Sequence, residues 1–424
     1  MKKLLVFMIL FFLCILFVKS MNGMKTSIDG IIMLFSIAFV TASGFYFFAD
    51  HVFQNKDGKK VELETFYMKP DDSTLQKITP KDPEFVADNF LRNVGTLASK
   101  LNSAWCNDKM GDVRNLVSSG VYNRFKIQLE LMHKSGIKNV MEYWALSSVQ
   151  LLDVESDSDY QTAHTQIFAY AKDMNVDKNL AAGEIQTLFK EATQNSYSEV
   201  WSFVRKKTSQ SHKGKSLLEG NCPNCGGLLE GLGESNQCKY CKTIINSGEY
   251  DWVLAEITQV EEWNHASSNT IDLAQFKALN PLAARQIIED RASYIFWRWM
   301  ETFSVGKKDP LRRDATAGLL NSWVDEKIEY SEVAVGSVDL TDIYTSADDG
   351  IYADVFINWS ADFNHRESTL SLRLNPKATK TSGLAENSCS NCGAPYPDSD
   401  AKNCAYCSHP IPSVLDDWLL SAII

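Results

Sequence analysis

Eight of the ten cysteines in this 424-residue chain fall into four C-x-x-C pairs. Cys222 and Cys225 are followed, after twelve residues, by Cys238 and Cys241; Cys389 and Cys392 are followed, after eleven, by Cys404 and Cys407. Each C-x-x-C turn presents two sulfurs from one tight loop, and two such turns complete a tetrahedron around zinc. The eight cysteines are therefore read as the ligands of two structural zinc ions. Four thiolates leave the ion no open position, so the chemistry is architectural rather than catalytic. A redox dithiol is the competing use of C-x-x-C, and the ribbon-like pairing favours zinc. Thiolate ligation suits a reducing compartment. Gly226, directly after the second cysteine, is expected at positive φ, where the chain leaves the turn. Cys14 and Cys106 stand alone.

Each tetrad is followed by a short apolar tail, Asp251-Trp252-Val253-Leu254 and Asp417-Trp418-Leu419-Leu420. Both tails are read as helical. At an offset of 166 residues, Cys404, Tyr406, Cys407, Asp417, Trp418, Leu420 and Ile423 overlay Cys238, Tyr240, Cys241, Asp251, Trp252, Leu254 and Ile257. The segments upstream repeat as well, at an offset of 198. Asp82-Pro83 opens a helix as cap and first position, with Phe90, Val94, Leu97, Ala98, Leu101 and Trp105 on one face. Asn280-Pro281 does the same for Ile288, Ala292, Ile295, Phe296, Trp299 and Phe303, and Gly318 to Trp323 overlays Gly120 to Phe125 without a gap. A register shared over more than forty residues is an internal repeat.

A second helix is expected over about Asp112 to His133. Ala145 to Val154, Tyr160 to Asp173 and Ser196 to Lys206 read as strands, interrupted by an excursion at Asn175 to Asn195 that is helical through Leu180 to Ala192. In the second copy, strands are expected at Ser331 to Ile343, Ile351 to Trp359 and Ser368 to Leu374, without the excursion. Helices followed by an antiparallel sheet give an α+β fold.

The N-terminus carries two uncharged apolar runs, Leu4 to Val18 and Ile31 to Phe48. The second is long enough to cross a bilayer, and the first is short but workable. A cleaved signal peptide would need a small-x-small exit, and the first run leaves through Phe17-Val18-Lys19-Ser20-Met21. A two-helix hairpin with both ends in the cytoplasm keeps the thiolates in a reducing space. The organisation expected is then a membrane segment at 1–48, a linker at 49–79, a first domain at 80–215, a zinc ribbon with its tail at 216–257, a linker at 258–279, a second and diverged domain at 280–383, and a second ribbon with its tail at 384–424.

The chain has a formal net charge of −11, which argues against a general nucleic-acid binder. Only Lys239 and Lys242 flank the first tetrad, and Lys402 the second. The cluster Arg205, Lys206, Lys207, Lys213 and Lys215 reads as a solvated strand end and linker. His164, Tyr170, Asp173, Asp354 and Asp362 lie on or near strands, but none forms a pair with acid–base spacing and none recurs between the copies.

Taken together, Asp82-Pro83 with its helix, Gly120 to Phe125, the strands up to Trp201-Ser-Phe-Val-Arg205, and the ribbon with Tyr250 to Leu254 resemble the bacterial Tim44-like proteins. Those proteins share a domain with the C-terminal part of a mitochondrial inner-membrane import subunit. The resemblance implies a cone-shaped fold of the nuclear-transport-factor-two-like (cystatin-like) kind, in which helices wrap a curved sheet around an apolar pocket. It also implies association with membrane lipids or membrane proteins. The duplicated domain, the apolar runs and the ribbons depart from the mitochondrial relative, and no segment matches its chaperone-binding region. The expected function is a non-catalytic, membrane-anchored scaffold binding lipid or protein at the cytoplasmic membrane, in membrane-protein assembly or transport, and not binding nucleic acid. The alternative is a cone-fold enzyme or small-ligand binder using the apolar pocket.

Overall fold

The computed structural model describes residues 65–424 except 158, 213–214, 230–235, 264–270, 272, 278–279, 281, 379–383, 385–388, 390, 398 and 400. The two N-terminal apolar runs lie outside the described residues. Among the described residues, no helix is long and apolar enough to cross a membrane.

The first copy begins with strand β1 (Phe66–Met68), helix α1 (Asp72–Gln76) and the long helix α2 (Ala87–Cys106). A 3-10 turn at Met110–Val113 leads to α3 (Ser119–Lys134), then β2 (Ile137–Asp157) and β3 (Tyr160–Asp177). Helix α4 (Ala182–Glu191) precedes β4 (Asn195–Lys206), and β5 (Val253–Gln259) follows the first cysteine module. After the short helix α5 (Ala274–Lys277), the second copy runs α6 (Arg285–Val305), α7 (Ala317–Ser322), β6 (Val333–Thr345), β7 (Ile351–Ala361), β8 (Asn364–Leu374) and β9 (Leu419–Ile423). The strands form one sheet in the order β1-β2-β3-β4-β5 and another in the order β6-β7-β8-β9. β1 pairs parallel to β2, and every other pairing is antiparallel.

The repeat read from the sequence is present in three dimensions. α2 and α6 start 198 residues apart, as do α3 and α7. The strand irregularities recur too. β2 shifts register at Leu146/Ser148 and Leu151/Asp153, and β6 does so at Val335/Ser337 and Leu340/Asp342. The last pairing of each sheet shifts at Ser202/Phe203 and at Ser371/Leu372. A bulge inserts one residue and bends its strand, so both sheets bend at matching places around their long helices.

Three expectations need correction. The tails after the tetrads are strands, not helices. A four-to-seven-residue apolar run does not distinguish the two by periodicity, and here a free sheet edge recruits it: β5 pairs with β4 and β9 with β8. Asp82 does not cap α2, whose N-cap is Val86 without a side-chain bond. Asp82 is instead fully buried, taking bonds from Arg205 Nη1 at 2.8 Å and from the Ser211 hydroxyl at 2.7 Å. Nor does Asn280 cap α6, which starts at Arg285; its side-chain oxygen accepts from the Leu282 amide at 2.8 Å. The helix expected over 112–133 is also broken, because Ser118 caps a fresh start by accepting from the Val121 amide at 3.1 Å.

The two copies are not beads on a string: residues 65–424 belong to one compact unit. One apolar core runs through both. α2 is amphipathic, with Phe90, Leu91, Val94, Leu97 and Leu101 buried and Asp88, Arg92, Thr96, Ser99 and Lys100 outside. α6 has almost no outside. Glu289, Asp290, Arg291 and Ser293 are buried on it together with its apolar residues, because α3 of the first copy lies against it. A helix buried all round is the mark of a central element.

Each sheet has its first edge covered, by different means. In the first copy, the Thr65 hydroxyl donates to the Leu146 carbonyl at 3.0 Å at the bulge beside β1. At the equivalent bulge of the second copy, the Val335 carbonyl accepts from Arg124 Nη2 of α3 at 2.8 Å. The first copy thus covers the second as β1 covers the first.

The close approach of α3 and α6 depends on one glycine. A Cβ at Gly120 would stand 2.5 Å from Asp290 Oδ1 and 2.7 Å from the Asp290 backbone oxygen. At the equivalent Gly318, a Cβ would meet nothing within 4 Å. Gly120→Ala should therefore destabilise by about 1–3 kcal/mol, since backbone must move. Gly318→Ala should be neutral or stabilise by about 0.5–1 kcal/mol through helix propensity alone. Denaturant midpoints of the two variants check this, and equal effects would refute the assigned packing.

Candidate metal centres

The four C-x-x-C turns fold alike. In each, the first cysteine's carbonyl accepts from the amide four residues on: Gly226 to Cys222 at 2.8 Å, Lys242 to Cys238 at 2.9 Å, Gly393 to Cys389 at 2.7 Å, and Ser408 to Cys404 at 2.9 Å. The cysteine amide then donates to the next carbonyl, as Cys222 does to Gly227 at 2.7 Å and Cys404 to His409 at 2.8 Å. The residue after each pair takes positive φ: 76° at Gly226, 62° at Lys242, 73° at Gly393 and 58° at Ser408. Glycine was expected at Gly226; two of the four turns accept a side chain there. These loops point backbone dipoles and both sulfurs toward one spot.

The sulfurs converge as two groups, Cys222, Cys225, Cys238 and Cys241, and Cys389, Cys392, Cys404 and Cys407, each with all its sulfurs within 4.8 Å of one another. Cys222 and Cys241 are 3.7 Å apart, and Cys225 and Cys238 are 3.8 Å apart. Cys389 and Cys407 are 3.6 Å apart, and Cys392 and Cys404 are 3.7 Å apart. A disulfide requires about 2.05 Å. The edge of a tetrahedron with metal–sulfur bonds of about 2.3 Å is about 3.8 Å. The donor set and its spacing therefore fit a bound metal ion.

The protons of the ion-free tetrads are unevenly held. Burial pushes the Cys222 thiol up to about 12. At Cys241 burial also pushes upward, but Thr243 and neighbouring sulfurs outweigh it and bring the thiol down to about 6. The Asn224 amide donates to the Cys241 sulfur at 3.7 Å, and Asn391 lowers Cys407, also to about 6, in the same way. The asparagine of each first C-x-x-C thus supports the fourth ligand. A divalent ion would displace the remaining protons, so its affinity rises with pH.

Each module is fastened to its domain through the tail strand. The Asp251 carboxylate accepts from the Trp252 amide at 2.8 Å and from the Leu217 amide at 3.0 Å, tying the tail to the module's first residues. Trp252 is buried between Phe90, at 5.6 Å between ring centroids, and Arg205, whose guanidinium carbon lies 4.2 Å from the ring centroid. Burial pulls the Arg205 pKa down despite Asp82 beside it. The indole face and Asp82 are the compensation for that desolvation.

The second copy reaches the same end with another arginine. Arg291, from α6, donates to the Trp418 carbonyl at 3.0 Å and pairs with Asp314 at 2.9 Å. Burial works against this charge, but Asp417 and Asp314 hold its pKa above the ordinary value. Tail and helix also join identically in both copies. The Ser118 amide donates to the Leu254 carbonyl at 2.8 Å, and the Thr316 amide donates to the Leu420 carbonyl at 2.9 Å. The reading of Arg205 as part of a solvated strand end is corrected here: it is 2% exposed, held by Asp82 and Trp252. Arg291 was not singled out at all, because the two arginines occupy unrelated positions in the two copies.

The titratable residues singled out on the strands each have local partners, and His164 Nε2 lies 3.8 Å from Glu155 Oε1. His164 Nδ1 is bonded to the Ser202 hydroxyl at 2.9 Å. Asp173 accepts from Asn139 at 2.6 Å. Asp354 accepts from Ser371, and Asp362 accepts from the Ser331 hydroxyl at 2.6 Å. Tyr170 lies edge-on to Phe168, at 5.3 Å between centroids.

Residues 72–216 match the model of the Tim44-like domain. The match runs from α1 through β4 to the threshold of the first cysteine module. Among solved structures, the chain is similar to an "Ntf2 like protein involved in plasmid conjugation", with 11% sequence identity over 76% of this chain and 95% of that one, at a TM-score of 0.18. No curated protein matches.

Trp252→Ala removes the indole between Phe90 and Arg205. It should destabilise the protein by about 3–5 kcal/mol, the range for large buried aromatics, and expose β5 to proteolysis between the module and the linker. A denaturant midpoint within error of the wild type would show that the tail does not hold the module.

Proposed function

We propose that the protein is a non-catalytic scaffold in which two structural zinc ions lock duplicated Tim44-like domains, carried on an N-terminal membrane anchor. The observation that carries this reading is the position of the tetrads. Each sits between the penultimate and last strands of its sheet, and each is closed by four sulfurs. An ion there holds the last strand in place, and none of its coordination positions is left for a substrate.

Zinc is the ion we assign. All-thiolate sites select soft or borderline ions, and zinc has no geometric preference that resists a tetrahedron. The loops of twelve and eleven residues between the ligand pairs carry few apolar residues, so ion binding contributes folding energy directly.

Two further arguments support a non-catalytic role. Two carboxyls that burial raises, Glu256 and Glu289, lie between the copies at 3% and 7% exposure. A catalytic acid or base must reach substrate, and these contact Arg124, the Leu340 amide and one another's surroundings. The strand-borne histidine and aspartates are each engaged in local hydrogen bonds, as described above.

The membrane part of the proposal rests on the runs Leu4 to Val18 and Ile31 to Phe48 and on the Tim44-like domain that follows them. A fused pair of domains on one anchor offers a membrane-proximal surface at high effective concentration. The proposed setting is the cytoplasmic face of the cell membrane, with membrane lipids or membrane proteins as partners and no nucleic acid.

Freshly purified, reduced full-length protein should contain about two zinc ions per chain, and removal of residues 1–64 should move it from the membrane fraction to the soluble one. Metal content near zero would overturn the zinc assignment. Unchanged partition would overturn the anchor.

A further inference from the structure

The two copies enclose a groove of about 260 Å³ at the open end of the first sheet. The first copy supplies Trp105 from the end of α2, with Gln128 and Met132 from α3; the second supplies Glu332, Ser360 and Phe363. The volume is below that of pockets for drug-sized ligands and suits one small group.

The donors of the wall are mostly used within it. The Trp105 indole donates to Asn139 Oδ1 at 2.9 Å. The Asn139 amide donates to Asp173 at 2.6 Å and to Asn175 at 3.0 Å, which takes both of its hydrogens. The Asn175 amide crosses to Glu332 Oε1 of the second copy at 2.6 Å, and the Gln128 amide donates to the Val333 carbonyl at 2.8 Å. The inventory left over is rich in acceptors: a carboxylate at Glu332 and the side-chain oxygen of Gln128. Among the described residues, no cation lines the groove. The nearby Arg366 guanidinium lies over the rings of Tyr330 and Trp359 instead, at 5.7 and 5.4 Å.

Phe363 adds a second, independent observation. It is 88% exposed, at the tip of the β7–β8 hairpin. Both turn residues are left-handed, with φ of 49° at Asp362 and 64° at Phe363. Such two-residue turns favour glycine at the second position, and a bulky residue there is strained. The strain is held by Asp362, whose carboxylate accepts from the Ser331 amide at 2.9 Å and the Glu332 amide at 3.1 Å. Those bonds also fix the backbone of Glu332. Folding gains little from an exposed ring kept in a glycine conformation, and residual strain of this kind marks ligand contacts.

We propose that this groove binds a small organic cation, a primary or quaternary ammonium group, between the Glu332 carboxylate and the aromatic faces of Trp105 and Phe363. The carboxylate supplies charge and accepts N–H or polarised C–H groups. The rings supply cation–π attraction, which is strongest for tryptophan. Free amines and lipid headgroups share this chemistry. The site is composite, because neither copy has both the carboxylate and the indole. It is independent of the scaffold reading and of the metal centres.

The test is titration of the reduced, metal-loaded full chain with choline chloride and with n-butylammonium chloride, followed by tryptophan fluorescence and calorimetry against a sodium chloride control. Saturable binding is expected, weakened about tenfold by Glu332→Gln as a charge-assisted contact is lost. Phe363→Gly should weaken it about threefold or more while leaving the unfolding temperature unchanged or higher, a split that a merely structural ring would not produce. Vesicles of phosphatidylcholine, set against vesicles of phosphatidylglycerol, separate the sources: selective binding to the former assigns a headgroup, and binding of free ammonium alone assigns a soluble amine. The proposal is overturned if neither ammonium salt nor phosphatidylcholine binds above the sodium control, if binding is confined to phosphatidylglycerol, or if Phe363→Gly lowers the unfolding temperature without changing affinity.

Discussion

Arg124 is the point at which two copies of a domain become one body. Its Nη1 donates to the Ile257 carbonyl at 2.7 Å and lies 3.3 Å from Glu256, while its Nη2 donates to the Val335 carbonyl across the interface at 2.8 Å. Around it the interface is rich in acid. Glu256, Glu289 and Asp290 are buried, Asp339 lies close by, and Arg285 pairs with Glu289 at 3.6 Å. Burial pushes the Glu256 carboxyl up to about 7 and the Glu289 carboxyl up to about 8. Such a network is weak evidence for stability, since desolvation offsets attraction. Its value is register: Gly120 on Asp290 and Arg124 on Val335 are both satisfied in only one arrangement of the copies.

The duplication has therefore been used asymmetrically. α2 keeps a polar outer face and ends the assembly on one side, with β1 covering the adjacent sheet edge. α6 has lost that face and lies at the centre, covered by α3. α7 keeps six residues where α3 has sixteen, because nothing in the described structure packs where α6 packs on α3. What stays constant is the closing device: a tetrad, an aspartate-tryptophan step, and a last strand hydrogen-bonded to the cap of the second helix. Buried arginines hold the tails from different elements, so the demand lies in the tail's environment and not in one residue position.

Much of this was legible in the sequence. The tetrads, the 198-residue register and the α+β class follow from spacing and periodicity. The helix over Ala182–Glu191 was visible as a helical excursion between strands. What could not be read was whatever depended on a partner distant in sequence. Asp82-Pro83 has the composition of a helix start, yet Asp82 is claimed by Arg205, 123 residues away. The stretch after Asp251 is too short to declare a period, and only the vacant edge of β4 decides that it is a strand. The packing of α3 on α6 left one trace, Gly120, and its twin Gly318 concealed it by occurring where nothing needs it.

The central claim is that the metal-closed copies form one cooperative unit. Scanning calorimetry of the metal-loaded protein between pH 7 and 9 tests it most directly. Both raised carboxyls hold protons in the fold that the unfolded chain has released, so this contribution is full below the usual glutamate range and is lost as pH rises through about 7 and 8. The account predicts a single transition for both copies. Thiolate ligation makes the loaded fold more stable as pH rises, so the carboxyl effect is read as a difference. From pH 7 to 9 the wild-type midpoint should fall relative to that of Glu289→Gln, which keeps the thiolates and loses the titrating carboxyl. Two separated transitions, insensitive to Glu289, would contradict it.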